Sequence, residues 1–409
     1  MPGSEPPRAA DEAEAAHMRA AIALAQRGLG DVWPNPSVGC VIVRDGRVIA
    51  RARTAPGGRP HAETQALVAA GEAARGACAY VSLEPCCHYG RTPPCTEALI
   101  AAGVGRVVIG APDPDPRVSG GGIAALRAAG IAVTEDVLRA EAEAVIAGFA
   151  IRMRAGRPLV TLKLASTIDG RIATAGGESK WITGAAARRA AHALRGAHDA
   201  VMVGSGTVLA DDPDLTCRLP GFRARPLVRV VADTRLRTPP SARLFADRNA
   251  PVWVLSEAPE PSRRAALEMA GARIIDAGAT ESSPPSWGRG PGGGMPGGTL
   301  PTPPPDPLPQ GGRELQPGAA AIRRALLALG TEGLTSVLVE GGSALAASLL
   351  RADLVDRIAW FHAPAIMGGD GVPAVGPLGL AVLAAMPRFR RRAARPLGED
   401  MLTDFERAA

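Results

Sequence analysis

The chain has 409 residues, 46 % of them hydrophobic and 21 % charged, which is enough to bury two ordinary cores. Its formal net charge is +6, but only two of its 46 basic residues are lysine and only 3 % of residues are aromatic, which argues against binding nucleic acid by base stacking. The first residues lack the apolar run of a signal peptide, and no segment has the length and apolarity of a membrane span. We therefore expect a two-domain cytoplasmic protein with no nucleic-acid or membrane partner.

The first domain is predicted to occupy residues 15–150. Residues 1–14 are rich in Pro, Ala and Glu, and we expect them to form a disordered tail. A helix is predicted over 17–28 and a hairpin over 37–52, because two β-branched runs flank Asp45–Gly46. Helical and β-branched segments alternate after the hairpin. This alternation predicts an α/β sheet with helices packed on its faces.

The second domain is predicted to occupy residues 157–409. Its apolar, β-branched runs are separated by helical segments, so it should also be α/β. The runs cover residues 159–166, 200–206, 226–233, 250–256, 272–278 and 336–342. Residues 278–317 interrupt this pattern, since they are too rich in Pro and Gly to pack. We expect this segment to be a mobile insertion and assign it no secondary structure.

The segment VSLEPCCHYGRTPPC, residues 81–95, places three cysteines and a histidine in one loop. Cys86 and Cys95 bracket this loop, and His61 and Glu63 lie at the start of an earlier predicted helix. One imidazole and two thiolates can hold Zn²⁺ with a fourth position left for water. Glu63 can take a proton from that water and pass it to a departing amine, as in zinc-dependent deaminases.

A closed, structural zinc site is the alternative, with Cys87 or Cys40 as the fourth ligand. Eight residues separate Cys86 from Cys95, whereas the generic deaminase pattern has two. Glu63 favours the catalytic interpretation. Cys87 follows Cys86 directly, so its side chain should point elsewhere. In a reducing compartment, six cysteines are explained better by metal binding or catalysis than by disulfides.

The segments PNPSVGCVIV, HAE, LEPCCHYGRTPPC and PDPDPRVSGGG closely resemble the deaminase half of the bifunctional riboflavin-biosynthesis deaminase-reductase family. The longer cysteine spacing is that family's own form of the motif. The resemblance implies a cytidine-deaminase-like α/β/α domain that removes the exocyclic amine of a phosphoribosylated diaminopyrimidinone. It places Asn35, His88 and Arg91 at the substrate. Asp115 departs from the pattern, because an asparagine is expected there.

Two glycine-rich turns follow apolar strands in the second domain, in VMVGSGT and VLVEGGSALAASLL. Backbone N–H groups freed at such a turn can bind phosphate, although glycine after a strand is often only a tight turn. The chain has no G-x-G-x-x-G fingerprint in this domain, so a Rossmann dinucleotide site is not indicated.

The segments LKLASTIDGRIA, SKWITG, GTVLADDPDLT and VEGG resemble the reductase half of the same family. The resemblance implies a dihydrofolate-reductase-like α/β fold that uses NADPH. Lys163 is a candidate proton donor for opening the ribose ring, and Arg195 and Arg218 can make bidentate contacts to a sugar phosphate. The residues implied at the cofactor are Ala165, Trp181, Thr207, Asp211, Gly342 and Ser343. Those implied at the substrate are Ser179, Arg195, Leu215, Arg218 and Glu340.

Together with these features, the resemblance implies a bifunctional enzyme of riboflavin biosynthesis and suggests a homo-oligomer. It would deaminate 2,5-diamino-6-ribosylamino-4(3H)-pyrimidinone 5′-phosphate with Zn²⁺ and then reduce the ribosyl to a ribityl side chain with NADPH. One alternative is a zinc deaminase of a free nucleobase or tRNA with an unrelated second domain. Another is a binding protein that keeps the folds without turnover, against which the intact zinc motif argues.

Overall fold

The computed structural model describes residues 9–257, 260–278 and 317–408. Residues 1–8 of the predicted tail and residues 279–316 of the predicted insertion lie outside the described residues. The first helix, α1, spans Ala9–Gln26, so it begins before residue 15, where we expected the first domain to start. Within the described ranges, no helix combines the length and apolarity needed to cross a bilayer.

The first sheet contains five strands in the described part of the chain. They are β1 (Gly39–Arg44), β2 (Arg47–Arg53), β3 (Cys78–Val81), β4 (Arg106–Ile109) and β5 (Ala132–Thr134). Their order is β2-β1-β3-β4-β5, with β1 antiparallel to both neighbours and β3, β4 and β5 parallel. Asp45 and Gly46 form the predicted hairpin turn, with φ of 50° and 73°, as a type I′ turn requires.

The helices of the first domain form two groups around this sheet. After α1 they are α2 (Ala62–Ala70), α3 (Cys95–Ala101), α4 (Gly121–Ala128) and α5 (Arg139–Ala155). α1 packs on α5, whereas α2 packs on α3 and α3 on α4. Gly39 allows α1 to approach the sheet, because a Cβ there would lie 1.9 Å from the carbonyl oxygen of Ala21. The predicted α/β layering is therefore present.

The second sheet has nine strands within the described residues. They are β6 (Leu159–Thr167), β8 (Ala200–Gly204), β9 (Val228–Ala232), β10 (Val252–Ser256), β11 (Ala272–Asp276), β12 (Ser336–Val339), β13 (Arg357–Ala363), β15 (Phe389–Leu397) and β16 (Asp400–Arg407). β7 (Arg171–Ala173) pairs separately with β14 (Val372–Pro373). The order is β11-β10-β9-β8-β12-β6-β13-β16-β15. The first seven strands run parallel, β16 is antiparallel to β13, and β15 is antiparallel to β16.

The described part of the second domain contains five helices, and two of them begin at the carboxyl ends of neighbouring parallel strands. The five are α6 (Ala185–Gly196), α7 (Ser205–Asp211), α8 (Pro261–Ala270), α9 (Pro317–Thr331) and α10 (Ser343–Arg351). α7 follows β8 and α10 follows β12, and these strands are adjacent. In open α/β sheets, ligands bind outside the carboxyl ends of the strands. The two predicted phosphate-binding turns therefore lie side by side at the edge where a ligand is expected.

Candidate active sites

His61, Cys86 and Cys95 converge on one point in the first domain. His61 caps the N-terminus of α2, Cys95 is the first residue of α3, and Cys86 lies in the loop after β3. Their candidate ligand atoms all lie within 4.8 Å of one another. Nδ1 of His61 is 3.2 Å from Sγ of Cys95 and 3.7 Å from Sγ of Cys86. One imidazole nitrogen and two sulfur atoms form the donor set of a catalytic zinc site with an open position.

Hydrogen bonds within this cluster favour a thiolate at Cys86. The Cys95 thiol contributes most, and together with the His61 ring and the Cys95 backbone N–H, 3.3 Å from Sγ, it lowers the pKa of Cys86 to about 4. The same hydrogen bond, with burial, raises the pKa of Cys95. Zinc binds thiolates, so metal binding displaces the proton that Cys95 retains.

Glu63 lies in the first turn of α2, where its side chain is only 4 % exposed. Burial raises the pKa of this carboxyl, because the charged form loses its hydration, although the nearby His61 opposes the shift. A raised pKa suits a group that accepts and returns a proton near neutral pH. The structure therefore places a candidate general base beside the metal cluster.

Cys87 and Cys40 are not part of the metal-binding group found among the described residues. Sγ of Cys87 lies 3.7 Å from the carbonyl oxygen of Arg117, so this side chain points away from the cluster. Cys40 is fully buried among apolar residues on β1, and this burial raises the pKa of its thiol. The arrangement thus favours the three-ligand interpretation over a closed four-ligand site.

The candidate substrate residues of the first domain lie on two loops near the cluster. Nδ2 of Asn35 donates to the carbonyl oxygen of Gly58 at 2.7 Å. Gly58 has φ of 86°, and a Cβ there would lie 2.6 Å from the Asn35 side chain, so a glycine is required. His88 is half-buried, and its Nδ1 has no hydrogen-bond partner among the described atoms, which fits a group that binds substrate. Arg91 is exposed on the same loop.

Asp115, the departure from the family pattern, forms a partly buried ion pair. Its carboxylate accepts hydrogen bonds from Nε and Nη2 of Arg117, the latter at 2.5 Å from Oδ2. The backbone N–H of Arg117 donates to Oδ1 at 3.0 Å. An asparagine could not form this ion pair. The aspartate is therefore explained by its neighbour two residues later.

Glu84 is a buried residue near the site that the sequence analysis missed. Its carboxylate accepts hydrogen bonds from four backbone N–H groups, at 3.0 to 3.2 Å, and it is 2 % exposed. The donors are Asp113, Gly120, Gly122 and Ile123. Glu84 thereby fixes the PDPDPRVSGGG loop and the start of α4. An acidic residue ending an apolar strand, in SLEPC, is the signal that could have identified it.

Lys163, Arg195 and Glu340 form an ionic network in the second domain. Nε and Nη2 of Arg195 donate to the two carboxylate oxygens of Glu340 at 2.6 and 3.0 Å. Nζ of Lys163 lies 3.9 Å from Oε2 of Glu340. Burial alone would raise the pKa of Glu340, but Arg195 and Lys163 lower it to about 2. The guanidinium of Arg195 thus binds Glu340 in this structure, and its contact with a sugar phosphate stays a prediction.

Arg218 and Leu215 lie on the segment that follows α7. Arg218 is exposed, and its backbone N–H and its Nε each lie 3.3 Å from a ring nitrogen of His192. Burial, reinforced by Arg195 and Arg218, lowers the pKa of His192, a residue the sequence analysis missed. Leu215 is 2 % exposed within an apolar cluster, so its side chain belongs to the core and only its backbone can meet a substrate.

Four of the candidate cofactor residues lie within the last residues of β6 or just after the carboxyl ends of β8 and β12, and these three strands are adjacent. They are Ala165, Thr207, Gly342 and Ser343. A Cβ on Gly342 would lie 3.7 Å from Oγ1 of Thr207, so the two turns adjoin. No side chain caps the N-terminus of α10, which leaves its first N–H groups available to a phosphate. These features fit a phosphate-bearing cofactor such as NADPH.

The remaining candidates, two for the cofactor and one for the substrate, lie on segments beside these strand ends. Asp211 is exposed at the last residue of α7. Ser179 and Trp181 lie on the segment before α6, where Ser179 is half-buried and Trp181 is 69 % exposed. The guanidinium of Arg188 lies over the Trp181 ring, 4.6 Å from its centroid. The structure thus leaves the Trp181 ring largely accessible.

Two family models match the chain. The RibD C-terminal domain matches residues 158–403, and the cytidine and deoxycytidylate deaminase zinc-binding region matches residues 11–111. The riboflavin biosynthesis protein RibD of Escherichia coli K12 is 38 % identical over 400 residues, which cover 94 % of this chain and 97 % of that protein. RibD of Aquifex aeolicus is 36 % identical over 391 residues, covering 96 % and 98 % respectively.

Solved structures extend this similarity to the whole fold. Acinetobacter baumannii RibD has a TM-score of 0.79 at 33 % identity, covering 98 % of this chain and 100 % of that chain. A Thermotoga maritima diaminohydroxyphosphoribosylaminopyrimidine deaminase/5-amino-6-(5-phosphoribosylamino)uracil reductase has a TM-score of 0.77 at 34 % identity, with the same coverage.

These similarities confirm the predicted fold class, the resemblance on which it partly rested, and the two cofactors, zinc and NADPH. The alternative with an unrelated second domain is not supported, because the RibD C-terminal model matches that domain. The chain therefore belongs to the RibD family of riboflavin biosynthesis proteins, in which a zinc-dependent deaminase domain precedes a reductase domain.

Proposed function

We propose that the first domain, residues 15–150, deaminates 2,5-diamino-6-ribosylamino-4(3H)-pyrimidinone 5′-phosphate. The second domain, residues 157–409, then reduces the ribosyl side chain of the product to ribityl with NADPH. The observation that carries this proposal is the His61, Cys86 and Cys95 cluster beside a buried Glu63, in a chain that also carries the reductase network. The activities ascribed to the Thermotoga maritima relative support this choice of substrate.

In the deaminase reaction, His61, Cys86 and Cys95 would hold the metal. Zinc bound there supplies a Lewis acid that activates water near neutral pH. Glu63 accepts a proton from the attacking water and returns it to the departing amine, a role that suits its raised pKa. Asn35, His88 and Arg91 bind the ribotide and orient the pyrimidine, and the unpartnered Nδ1 of His88 supports its part in this.

In the reductase reaction, the cofactor and substrate residues would meet at the carboxyl edge of the second sheet. The cofactor contacts are Ala165, Trp181, Thr207, Asp211, Gly342 and Ser343. NADPH supplies the reducing hydride when it is bound. The substrate residues are Ser179, Arg195, Leu215, Arg218 and Glu340, with Leu215 acting through its backbone and Arg195 through Glu340.

Lys163 donates a proton as the ribose ring opens, and Glu340 holds its ammonium in place at 3.9 Å. Arg218, which is exposed, is the arginine available to the sugar phosphate, because the fork of Arg195 is bound to Glu340. Arg195 therefore serves the substrate indirectly, by holding the carboxylate that faces it.

The protein is also proposed to be a cytoplasmic homo-oligomer that acts without nucleic acid. All six cysteines, each within the described ranges, are free, as thiolate chemistry in a reducing compartment requires. Residues 366–383 expose several large apolar side chains, which favours burial against another copy. They are Ile366, Val372, Leu380, Val382 and Leu383. Light scattering of the purified chain measures the oligomeric state directly.

The test of the proposed function uses the purified full chain and the diaminopyrimidinone ribotide. Without NADPH, we expect one ammonia per ribotide and no further change. With NADPH, we expect one equivalent of NADPH per ribotide to be oxidised. Removal of zinc with a chelator should stop ammonia release but leave NADPH oxidation intact when the already deaminated ribotide is supplied. Turnover of a free nucleobase or tRNA in place of the ribotide would contradict the proposal.

A further inference from the structure

The loop of residues 30–36 in the first domain is bound by the second domain. Asp31 is 2 % exposed, and its carboxylate accepts the backbone N–H groups of Ala224 at 3.0 Å and Arg225 at 3.1 Å. Nη1 of Arg225 donates to the carbonyl oxygen of Trp33 at 2.7 Å. Its guanidinium also lies over the Trp33 ring, 4.3 Å from the centroid. A buried carboxylate of the first domain is thus satisfied by backbone donors of the second.

Arg223 and Arg152 attach the two ends of the same loop. Nη2 of Arg223 donates to the carbonyl oxygen of Gly30 at 2.7 Å, while its Nη1 donates to that of His198 at 2.6 Å. Nη1 of Arg152, on α5, donates to the carbonyl oxygen of Pro34 at 3.3 Å. Hydrogen bonds therefore hold the loop at its start, its middle and its end.

The loop in turn contacts the segment that leads into the metal cluster. The carbonyl oxygen of Asp31 accepts the N–H of Gly57 at 2.8 Å, and Nδ2 of Asn35 donates to the carbonyl oxygen of Gly58 at 2.7 Å. Gly57 and Gly58 precede His61 by only a few residues. Hydrogen bonds therefore run from the second domain, through the loop, to Gly57 and Gly58, and the backbone continues from there to His61.

The bound segment of the second domain carries a candidate residue of the other site. Ala224 and Arg225 lie on the stretch between α7 and β9, which also contains Arg218. This stretch holds the loop that carries Asn35 through backbone N–H groups and through the guanidinium groups of Arg223 and Arg225. A charged acceptor makes these hydrogen bonds stronger than neutral ones would be.

We propose that Asp31 is a positioning residue for deamination, which acts by fixing Asn35 through the backbone of Ala224 and Arg225. The deaminase site is thus completed by the second domain. This inference rests on the proposed function in one respect, that Asn35 binds the diaminopyrimidinone ribotide.

The test compares four variants of the full chain with the wild type: Asp31→Asn, Asn35→Ala, their double variant, and Arg225→Gln. Arg264→Gln is the matched control, because it removes an arginine from an exposed ion pair on α8. Each protein is assayed for zinc content, for kcat and KM of deamination, and for reduction of the already deaminated ribotide.

Asp31→Asn should raise the KM of deamination by about tenfold, the equivalent of one lost charge-assisted hydrogen bond, and change kcat far less. Zinc content and reduction should match the wild type. In the Asn35→Ala background, the further effect of Asp31→Asn should fall below about twofold, because both changes act through one contact. Arg225→Gln should shift KM in the same direction, and Arg264→Gln should shift nothing.

An unchanged KM in Asp31→Asn, loss of zinc from it, or additive effects in the double variant would each overturn the inference. If Asp31→Asn fails to fold, Ala224→Pro takes its place in the same measurements, because it removes one backbone N–H donor to Asp31 and leaves the carboxylate. It should raise KM in the same way, and an unchanged KM would overturn the inference. Failure of the wild type to deaminate the ribotide would instead refute the proposed function, and so the two failures are distinguishable.

Discussion

The ammonium nitrogen of Lys163 lies 3.9 Å from Oε2 of Glu340. The carboxylate of Glu340 also accepts two hydrogen bonds from the guanidinium of Arg195. Lys163 extends from β6 and Glu340 follows β12, which are adjacent parallel strands. Two cations around one largely buried carboxylate keep it ionised, with a pKa of about 2. The proposed proton donor is therefore held by a charge that persists across the neutral pH range.

Removing Arg195 should destabilise the second domain more than removing the whole pair. Arg195→Met leaves Glu340 buried without its bidentate partner and should lower the free energy of unfolding by about 3 kcal/mol. The double variant Arg195→Met/Glu340→Gln should recover part of this loss, because the buried carboxylate that lost its bidentate partner is no longer there. Urea unfolding at pH 7 measures both. Equal stability of the single variant and the wild type would show that the pair contributes little.

The low pKa of Glu340 predicts that the free energy of unfolding depends on pH. Its pKa of about 2 lies below the ordinary value of 4.5, so its stabilising contribution is fully present above pH 4.5 and is lost as the pH falls towards 2. The difference in unfolding free energy between the wild type and Glu340→Gln should shrink over this window. A difference that stays constant from pH 5 to pH 3 would contradict the assignment.

The three-ligand zinc site predicts different outcomes for adjacent cysteines. Cys86→Ser and Cys95→Ser should each lower zinc occupancy and abolish deamination, because serine supplies no thiolate. Cys87→Ser is the matched control and should keep most of both, since Sγ of Cys87 faces the carbonyl oxygen of Arg117. Metal analysis and ammonia release measure the outcome. Equal zinc loss from Cys87→Ser would mean that the wrong thiol was assigned.

Glu63→Gln should separate the two chemistries. The change keeps the shape of the side chain but removes the base, so deamination should fall by roughly a hundred- to ten-thousand-fold. Zinc content should stay at the wild-type level. Reduction of 5-amino-6-(5-phosphoribosylamino)uracil should also be unaffected, because Glu63 lies in the first domain. Loss of that reduction in a folded variant would refute the assignment of one reaction to each domain.

His198 should make the protein less stable in mild acid. Its ring nitrogens lie 2.7 Å from the carbonyl oxygen of Leu194 and 2.9 Å from Oγ1 of Thr161, and burial lowers its pKa from 6.5 to about 4. The neutral ring therefore contributes to the free energy of unfolding above pH 6.5, and this contribution is lost as the pH falls towards 4. Between pH 7 and pH 5, the free energy of unfolding should fall by about 2 kcal/mol for this reason. His198→Gln should show a smaller difference between these two pH values in urea unfolding. An identical difference in both proteins would contradict this origin.

Local chemistry explains what could be predicted from the sequence alone. Asp45–Gly46 between two β-branched runs specifies its hairpin, because both positions need positive φ. His61 and Glu63 could be assigned because their spacing and their place at a helix start are properties of a few adjacent residues. Most parallel strands were predictable as well, since buried strands are continuous apolar runs, but β13 (Arg357–Ala363) was missed.

The C-terminal strands β15 and β16 were missed because the predictions depended on local sequence patterns. β15 reads FRRRAARPL and is exposed along most of its length, so it lacks the apolar pattern of a buried strand. Its arginines pair with acidic residues of β16, such as Glu406 and Asp404. Only pairing with β16 gives this segment its conformation.

Only the tertiary structure decided which polar groups meet across long distances in the chain. Glu84 binds N–H groups of the loop and helix start at residues 113–123, Arg195 binds Glu340, and Asp31 binds Ala224 and Arg225. Each pairing supplies hydrogen bonds to a buried charge. The sequence does not specify these partners, because any acidic residue can pair with any donor that folding brings near it. The sequence therefore determined which chemistry each domain carries, whereas folding determined which partner each buried charge received and so how the two domains are joined.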